Sequence, residues 1–127
     1  MAKKILLVDD EPDFIDLIKI RFEAGGYDVV TAYNGDEAIA KVESEHPTAV
    51  LLDILMPGMD GLSVLEHLRD NDKTLPIFIV TAFSNKERFE MAHKLGATGF
   101  IVKTDDLKDE VERIMTLIGG SSVKKIR

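Results

Sequence analysis

Ile5-Leu6-Leu7-Val8-Asp9-Asp10 is a four-residue apolar run with two carboxylates directly behind it. The same arrangement returns three times, as Val50-Leu51-Leu52-Asp53, Ile77-Phe78-Ile79-Val80-Thr81 and Phe100-Ile101-Val102-Lys103. Each run is short, apolar without interruption and supplied with β-branched residues, which is the pattern of a strand buried on both faces. If the four strands are parallel neighbours, their carboxyl ends lie along one edge of a sheet. That edge would gather the carboxylates of Asp9, Asp10 and Asp53, the hydroxyl of Thr81 and the ammonium of Lys103. In open α/β sheets this is the edge where sites are built.

Reading outward from these runs, strand and helix signals alternate five times. Strands are expected at Lys4–Val8, Asp28–Ala32, Ala49–Asp53, Ile77–Thr81 and Gly99–Lys103. A first helix is expected from Pro12, suited to an opening turn, to Ala24, where Gly25-Gly26 stops it. Asn34 with Glu37, and Ser84 with Glu87, have the spacing of capping boxes that open helices. A third helix is expected from Gly61 to Asp70. Leu107, Val111, Ile114, Met115 and Ile118 fall on one face of a last helix, read as core packing rather than a cofactor or partner groove. Strands alternating with helices imply a parallel sheet covered on both sides. The expected fold class is α/β: a doubly wound five-stranded parallel sheet with five helices.

The bulk composition suits one domain. The 127 residues are 45% hydrophobic, enough for a single core. A net charge of −7 disfavours nonspecific binding to nucleic acid or anionic membranes. The chain has no cysteine, which excludes disulfides and thiolate metal sites. The opening Met1-Ala2-Lys3-Lys4 and its apolar run stop at Asp9, too short for a signal peptide, and no stretch approaches the ~20 apolar residues of a membrane helix. A cytoplasmic location is expected. The domain is expected over residues 1–118. Residues 119–127, Gly-Gly-Ser-Ser and then the basic Lys124-Lys125-Ile126-Arg127, read as a flexible tail or the cut end of a linker. With no DNA-binding or enzymatic segment after Ile118, output is expected by docking or through a domain outside this chain.

Three carboxylates at one sheet edge would repel unless a cation sits among them, and a hard oxygen-lined site open to water suits Mg²⁺. Read singly, each residue has a plainer use. Asp9-Asp10-Glu11 could cap the helix opening at Pro12. Asp53 could lead into the turn Met56-Pro57-Gly58, Lys103 could extend its ammonium to water from a strand end, and Thr81 could cap its own loop. Taken together they can transfer phosphate: an aspartate is a known nucleophile toward phosphorus, a metal neutralises the phosphoryl oxygens, and Lys103 and Thr81 supply a point charge and a hydroxyl donor.

Leu6-Leu7-Val8-Asp9-Asp10-Glu11-Pro12, Leu51-Leu52-Asp53-Ile54-Leu55-Met56-Pro57-Gly58-Met59-Asp60-Gly61, Ile79-Val80-Thr81-Ala82 and Gly96-Ala97-Thr98-Gly99-Phe100-Ile101-Val102-Lys103 together resemble the receiver domains of two-component response regulators, typified by the chemotaxis receiver protein. The resemblance spans Lys4 to Ile118. It implies the flavodoxin-like strand order 2-1-3-4-5, with Asp53 as phosphoacceptor. Asp10, Asp53 and the backbone carbonyl of Leu55 would ligate Mg²⁺ directly, and Asp9 mainly through water. Thr81 and Lys103 would hold the phosphoryl group, and the small Ala82 would leave it room. It implies a histidine kinase or histidine phosphotransfer protein as donor, and a downstream protein or missing effector domain as recipient. Direct nucleic-acid or membrane contact is not expected. A phosphorylation-dependent homodimer fits the resemblance, although the charges of the fourth and fifth helices single out no dimer type. The domain would be a signalling switch, catalysing only its own phosphorylation and slow dephosphorylation. Thr81 would move onto the phosphoryl group and Phe100 would swing into the space it leaves, changing the surface of the fourth helix, fifth strand and fifth helix. Phe100 lacks the hydroxyl of the commoner tyrosine, so its rotamers differ only in packing; the plainer reading is a core aromatic.

The chain departs from the family pattern at two places. Thr104 stands where relatives most often have proline in a cis bond after the lysine. A cis bond before a non-proline residue costs about 3–4 kcal/mol, so a trans Lys103–Thr104 bond is expected, with Thr104 or Asp105 capping the last helix. Leu55 and Phe83 stand where relatives often carry polar residues framing the path of a hydrolytic water, and neither can orient one. Other classes fit less well. A haloacid-dehalogenase-type phosphatase needs a second acid where this chain has Leu55. A flavodoxin-like redox protein needs a first loop that welcomes a flavin phosphate, which Asp9-Asp10-Glu11 would repel. A phosphorylation-independent docking module is the stronger rival, but such modules usually lose one of the five site residues, and all five are present.

Overall fold

The computed structural model describes residues 3–56, 59–82, 86–103 and 106–119. In chain order these form β1 (Lys3–Val8), α1 (Pro12–Ala24), β2 (Tyr27–Ala32), α2 (Gly35–Glu45), β3 (Ala49–Asp53), β4 (Leu55–Met56), β5 (Met59–Asp60), α3 (Gly61–Asn71), β6 (Ile77–Thr81), α4 (Lys86–Lys94), β7 (Gly99–Val102) and α5 (Leu107–Gly119). Five strands make one parallel sheet in the order β2-β1-β3-β6-β7. Setting the two-residue strands β4 and β5 aside, this is the expected 2-1-3-4-5 order. β4 and β5 form a small antiparallel hairpin, Leu55 opposite Asp60 and Met56 opposite Met59. The sequence reading had only a turn there, because two-residue strands leave no periodicity to detect.

Period-two alternation sends successive side chains of each strand to opposite faces of the sheet. Ile5, Leu7, Ala49, Leu51, Phe78, Val80 and Ile101 pack under Ile15, Ile18 and Phe22 of α1 and Val111 and Ile114 of α5. Leu6, Val8, Val50, Leu52, Ile77 and Ile79 pack under Ala38 of α2, Val64, Leu65 and Leu68 of α3 and Ala92 of α4. The apolar face of α5 is therefore core, with Leu107, Met115 and Ile118 packed against the same cluster. Both faces of the sheet are covered, which is why its strands read as unbroken apolar runs.

The helix ends follow local chemistry. α1 opens with Pro12 in its first turn and ends where Gly26 takes φ +92°, a conformation glycine adopts without a Cβ clash. At α2, Asn34 Oδ1 accepts the Glu37 backbone N–H at 2.9 Å. Glu37 Oε1 reaches back one residue further than a capping box requires, accepting the Tyr33 N–H at 2.7 Å. Asp60 caps α3 by accepting the Leu62 N–H at 3.0 Å. At the start of α5, Asp106 accepts from the N–H groups of Lys108 and Asp109. Thr104 and Asp105 lie outside the described residues, as do the Lys103–Thr104 bond, Phe83, the Ser84 cap and the tail after Gly119. β7 ends one residue before Lys103, which lies in the following turn.

The α3 start lies against the end of β3. A Cβ built on Gly61 would stand 2.3 Å from Ile54 Cα and 2.7 Å from Asp53 O, both backbone atoms. Only glycine lets α3 begin this close to the strand end carrying Asp53. Gly61→Ala is therefore expected to lower unfolding stability by roughly 1–3 kcal/mol through overpacking, read as a lower urea midpoint. A midpoint unchanged from wild type would show that the β3–α3 backbone can separate freely.

Candidate functional site

Three backbone hydrogen bonds carry the sheet ladder past the strand ends. Asp9 N–H donates to Ala32 O (3.1 Å), Ile54 N–H to Val80 O (3.3 Å) and Lys103 N–H to Thr81 O (2.7 Å). These bonds hold the β1–α1, β3–β4 and β7–α5 loops in register with the sheet. Continuing each strand's alternation puts Asp9, Asp53 and Lys103 on the α1/α5 side, the parity of Leu7, Leu51 and Ile101. Thr81 has the parity of Ile79 and belongs to the other side.

The two buried carboxylates are held alike. Asp9 Oδ1 accepts the Glu11 N–H at 2.8 Å, and Asp53 Oδ1 accepts the Leu55 N–H at 2.8 Å. Each is an aspartate bonding backbone two residues on, a common turn device. The remaining oxygens, both Oδ2, face the Lys103 ammonium at 2.9 Å (Asp9) and 3.3 Å (Asp53). Asp9 and Asp53 are 0% and 3% exposed, and Thr81 is 0%. Asp10 is exposed, yet its carboxylate and those of Asp9 and Asp53 each offer an oxygen within 4.8 Å of the other two.

Lys103 has two further neighbours that sequence reasoning missed. The Glu11 carboxylate forms a close ion pair with it, and the Phe14 ring lies beneath it, 4.5 Å from Nζ to centroid. Phe14 belongs to the first turn of α1, packed on the α1/α5 core. Nothing in the spacing could have paired Glu11 with a lysine 92 residues away. A local clue existed: Pro12 already suits a helix start without a side-chain cap, and Glu11 makes none.

The electrostatics record crowding. Burial, and then the charge of Asp9, raise the Asp53 carboxyl from 3.8 to about 6, against the pull of the Leu55 N–H and of Lys103. Burial likewise raises Asp9 despite its contact with Lys103. Burial alone would lower Lys103, but its close contacts with Glu11 and Asp9 and the charges of Asp9 and Asp53 outweigh it and raise the group above its ordinary value. One ammonium does not neutralise this cluster. Asp9 Oδ2 is at ion-pair distance from Lys103 but is not met at hydrogen-bonding angles, so its lone pairs stay unsatisfied.

These residues fit a small hard cation. All donors are oxygens, one buried carboxylate oxygen is under-satisfied, and the cluster opens to water at Asp10. Oxygens opposite each other on Mg²⁺ lie about 4.2 Å apart, and the ion keeps several waters. Carboxylates spread to 4.8 Å are thus suited to a site in which some act directly and others through water.

The remaining expected residues lie around this centre. Leu55 gives its N–H to Asp53 and leaves its side chain exposed, and Ala82 is exposed at the end of β6. Phe100 pairs with Ile79 across β6 and β7. It lies on the α2/α3/α4 side, the face of Thr81, partly buried against the core. Its ring meets Phe89 of α4 edge-on, centroids 5.3 Å apart at 72°. No helix among the described residues is long and apolar enough to cross a membrane.

Comparison with known proteins shows the family. The response regulator receiver domain model matches residues 5–115, and the chain belongs to that family of two-component signalling domains. It is 34% identical over 123 residues to the alkaline phosphatase synthesis transcriptional regulatory protein PhoP of Bacillus subtilis, covering 97% of this chain and 51% of PhoP. The chain spans about half the length of the curated relatives it matches. Among solved structures, the CheY-like receiver domain protein of Methanospirillum hungatei superposes with a TM-score of 0.88 at 29% identity, covering 98% of this chain and 99% of that one. The response regulator TrrA of Thermotoga maritima, solved in complex with Mg(2+)-BeF, gives 0.82 at 35% identity, covering 91% and 99%.

Carboxylate crowding should be visible as instability without metal. A carboxyl raised from 3.8 to about 6 on folding holds more protons folded than unfolded in that window, so stability falls as pH rises through it. At pH 7 in chelator, Asp53→Asn should be more stable than wild type by roughly 1–3 kcal/mol. The gain should shrink as pH falls from about 6 toward 3.8 and vanish only well below 3.8, where the wild-type group is neutral in both states. Urea unfolding at pH 7 and pH 4.5 measures it. A less stable Asp53→Asn at pH 7 would mean that attraction to Lys103 outweighs the burial of the charge.

Proposed function

We propose that this chain is a phosphoacceptor switch in which Asp53 takes a phosphoryl group from a phosphohistidine of a histidine kinase or phosphotransfer protein. The observation that carries the reading is the Asp53 carboxylate itself: buried, turned by the Leu55 N–H and aimed at Lys103 beside Asp9 and Asp10. An oxygen of Asp53 attacks phosphorus as the phosphorus–nitrogen bond breaks, and the electron pair passes to the imidazole, which then takes a proton. Asp10, Asp53 and the Leu55 carbonyl would hold Mg²⁺, with Asp9 acting mainly through water. When bound, the ion offsets carboxylate repulsion and draws charge from the phosphoryl oxygens. Lys103 supplies a point charge to one phosphoryl oxygen, and Thr81 donates its hydroxyl to another. Ala82 leaves space beside them.

The switch is a two-state element biased by that added charge. Thr81 turns toward the phosphoryl group, and Phe100, on the same side of the sheet, fills the vacated space. Phe89 loses its edge-on partner, and the α4–β7–α5 surface changes shape. The reading takes residues 1–118 as the receiver and residues 119–127 as tail or linker, in a cytoplasmic signalling chain. Output passes to a downstream protein or an attached effector domain, with homodimerisation on phosphorylation as one form it could take. The domain's own chemistry is its phosphorylation and slow dephosphorylation.

Acetyl phosphate with Mg²⁺ should add the mass of one phosphoryl group. Chelation or Asp53→Asn should abolish the gain, since an amide is a poor nucleophile and holds no cation. A gain that survives Asp53→Asn would move the acceptor elsewhere. No gain in wild type at any Mg²⁺ concentration would favour the phosphorylation-independent docking module.

Lifetime tests the surroundings of the same bond. Hydrolysis needs a water in line with the phosphorus–carboxylate bond, and neither Leu55 nor Phe83 can hydrogen-bond one into place. Leu55→Asn combined with Phe83→Glu should speed phosphate loss roughly tenfold, equivalent to ~1.4 kcal/mol of barrier. An unchanged half-life in the double variant would show that these two positions do not limit hydrolysis.

A further inference from the structure

The Lys103 ammonium stands at the end of a flexible four-carbon stem. To serve the sheet edge it must be kept at one place, which costs side-chain entropy. Two of its neighbours are charged groups of the site itself. Asp53 Oδ2 accepts from it at 3.3 Å, and Asp9 Oδ2 lies 2.9 Å away without meeting it at hydrogen-bonding angles. Both contacts change in the proposed reaction: a cation draws on these carboxylates, and phosphorylation takes an oxygen of Asp53 into a bond with phosphorus. Glu11 reaches Lys103 from the β1–α1 loop with a side chain 60% exposed, and exposed ion pairs hold weakly. The Phe14 ring is a neighbour of another kind. It faces the ammonium, 4.5 Å from Nζ to centroid. It carries no charge, and neither a cation nor a phosphoryl group alters it.

The ring is fixed by its helix. Phe14 stands in the first turn of α1, which Pro12 opens and the Ile15 N–H to Glu11 O bond (3.0 Å) closes. Ile15 and Ile18 of the same helix are buried and tie that turn to the α1/α5 core, and Phe14 packs against the same cluster. The Lys103 side chain is 10% exposed, so its ammonium has given up most of its water. The negative face of an aromatic ring compensates part of that loss, and the attraction strengthens as the pair is desolvated; an aliphatic side chain offers no such compensation.

We infer that Phe14 is a positioning residue for Lys103: the face of its ring holds the ammonium over the carboxyl edge of the sheet, so that Lys103 stays in place to meet a phosphoryl oxygen once its contact with Asp53 is spent. The inference rests on the proposed roles of Asp53 and Lys103. Phe14 acts through the lysine and takes no part in the phosphoryl chemistry. It therefore sets how well the site holds a phosphoryl-shaped anion, and leaves the cation site as it is.

The test uses the whole chain with Mg²⁺ and beryllofluoride. Bound beryllofluoride is read from its ¹⁹F resonance, and Mg²⁺ binding separately by calorimetry. Phe14→Leu keeps an apolar side chain but removes the aromatic face, and should bind beryllofluoride roughly three- to tenfold more weakly than wild type, with Mg²⁺ affinity changed less than twofold. Phe14→Tyr keeps the face and should stay within twofold of wild type for both. The Lys103 Cε protons, assigned by their loss in Lys103→Arg, should be shifted upfield by the ring in wild type and in Phe14→Tyr, with and without beryllofluoride, and not in Phe14→Leu. Unchanged beryllofluoride affinity in Phe14→Leu overturns the inference. An equal loss in Phe14→Tyr and Phe14→Leu overturns it as well, because the face of the ring would not be the cause. A parallel loss of Mg²⁺ affinity does the same, by making Phe14 a support of the whole edge. Lys103 protons that leave their upfield position when beryllofluoride binds would show that the ring lets go of the ammonium, against the inference. If wild type binds Mg²⁺ but never beryllofluoride, the phosphoacceptor reading fails and the role of Phe14 fails with it. If wild type binds both and Phe14→Leu matches it, only the role of Phe14 fails.

Discussion

The ammonium of Lys103 joins the carboxyl edge of the sheet. It comes from the turn after β7, yet it meets carboxylates from the ends of β1 and β3, strands that are not its neighbours in the sheet. Those carboxylates are buried because the strands carrying them are buried on both faces, and the strands can be so apolar because helices cover both sides. A buried carboxylate without a counter-charge is strongly unfavourable. The fold therefore tolerates Asp9 and Asp53 only while a cation stands at their meeting point. Here one ammonium serves two buried carboxylates, and the raised Asp53 carboxyl shows what stays uncompensated. The deficit makes the edge receptive to a further cation.

The alternation of the strands separates two jobs across the thickness of the sheet. Asp9, Asp53 and Lys103 follow the parity of the α1/α5 side, where Phe14 also lies. Thr81 and Phe100 follow the parity of the other side, where Phe89 meets Phe100 at α4. The charge cluster and the aromatic pair are thus built on opposite faces. Backbone joins them: Lys103 N–H is bonded to Thr81 O at 2.7 Å. Lys103 thus touches both sides, its ammonium facing Asp53 and its backbone bonded to Thr81. The opposite end of α4 is anchored, because Arg69 of α3 donates to Gly96 O at 2.8 Å and to Thr98 Oγ1 at 3.3 Å.

What could be read from the chain was what depends on short-range pattern. Unbroken apolar runs marked the strands because a doubly covered sheet permits no polar alternation. Asn34 with Glu37 marked a helix start because capping is decided within four residues, though Glu37 bonds Tyr33 rather than Asn34. The polar residue after each run pointed to the site because parallel strands place those positions together. Side-chain geometry was hidden where several short elements compete. Asp106, whose carboxylate accepts from Lys108 and Asp109 N–H, was not singled out, because neighbouring acids and hydroxyls are equally able to cap on paper. The β4–β5 hairpin escaped because each strand has two residues. Glu11 escaped because its partner lies at the far end of the chain. Its identity as an acid beside two acids suggested capping, and only the three-dimensional path of the β1–α1 loop turns it toward Lys103.

Gly61 shows how closely the site depends on backbone packing rather than on the charged residues alone. The Leu55 N–H orients Asp53 only if the chain turns sharply after β3. That turn is enforced by the β4–β5 pairing and by α3 starting against Ile54 and the Asp53 carbonyl. Asp60 then caps α3 while pairing with Leu55, so one residue ends the hairpin and opens the helix. The carboxylate is aimed by a sequence of tight local contacts, each with little freedom to relax. Electrostatics explains why a cation is required at this edge. The close approach at Gly61 explains why the carboxylate points to where that cation and its ligands can meet.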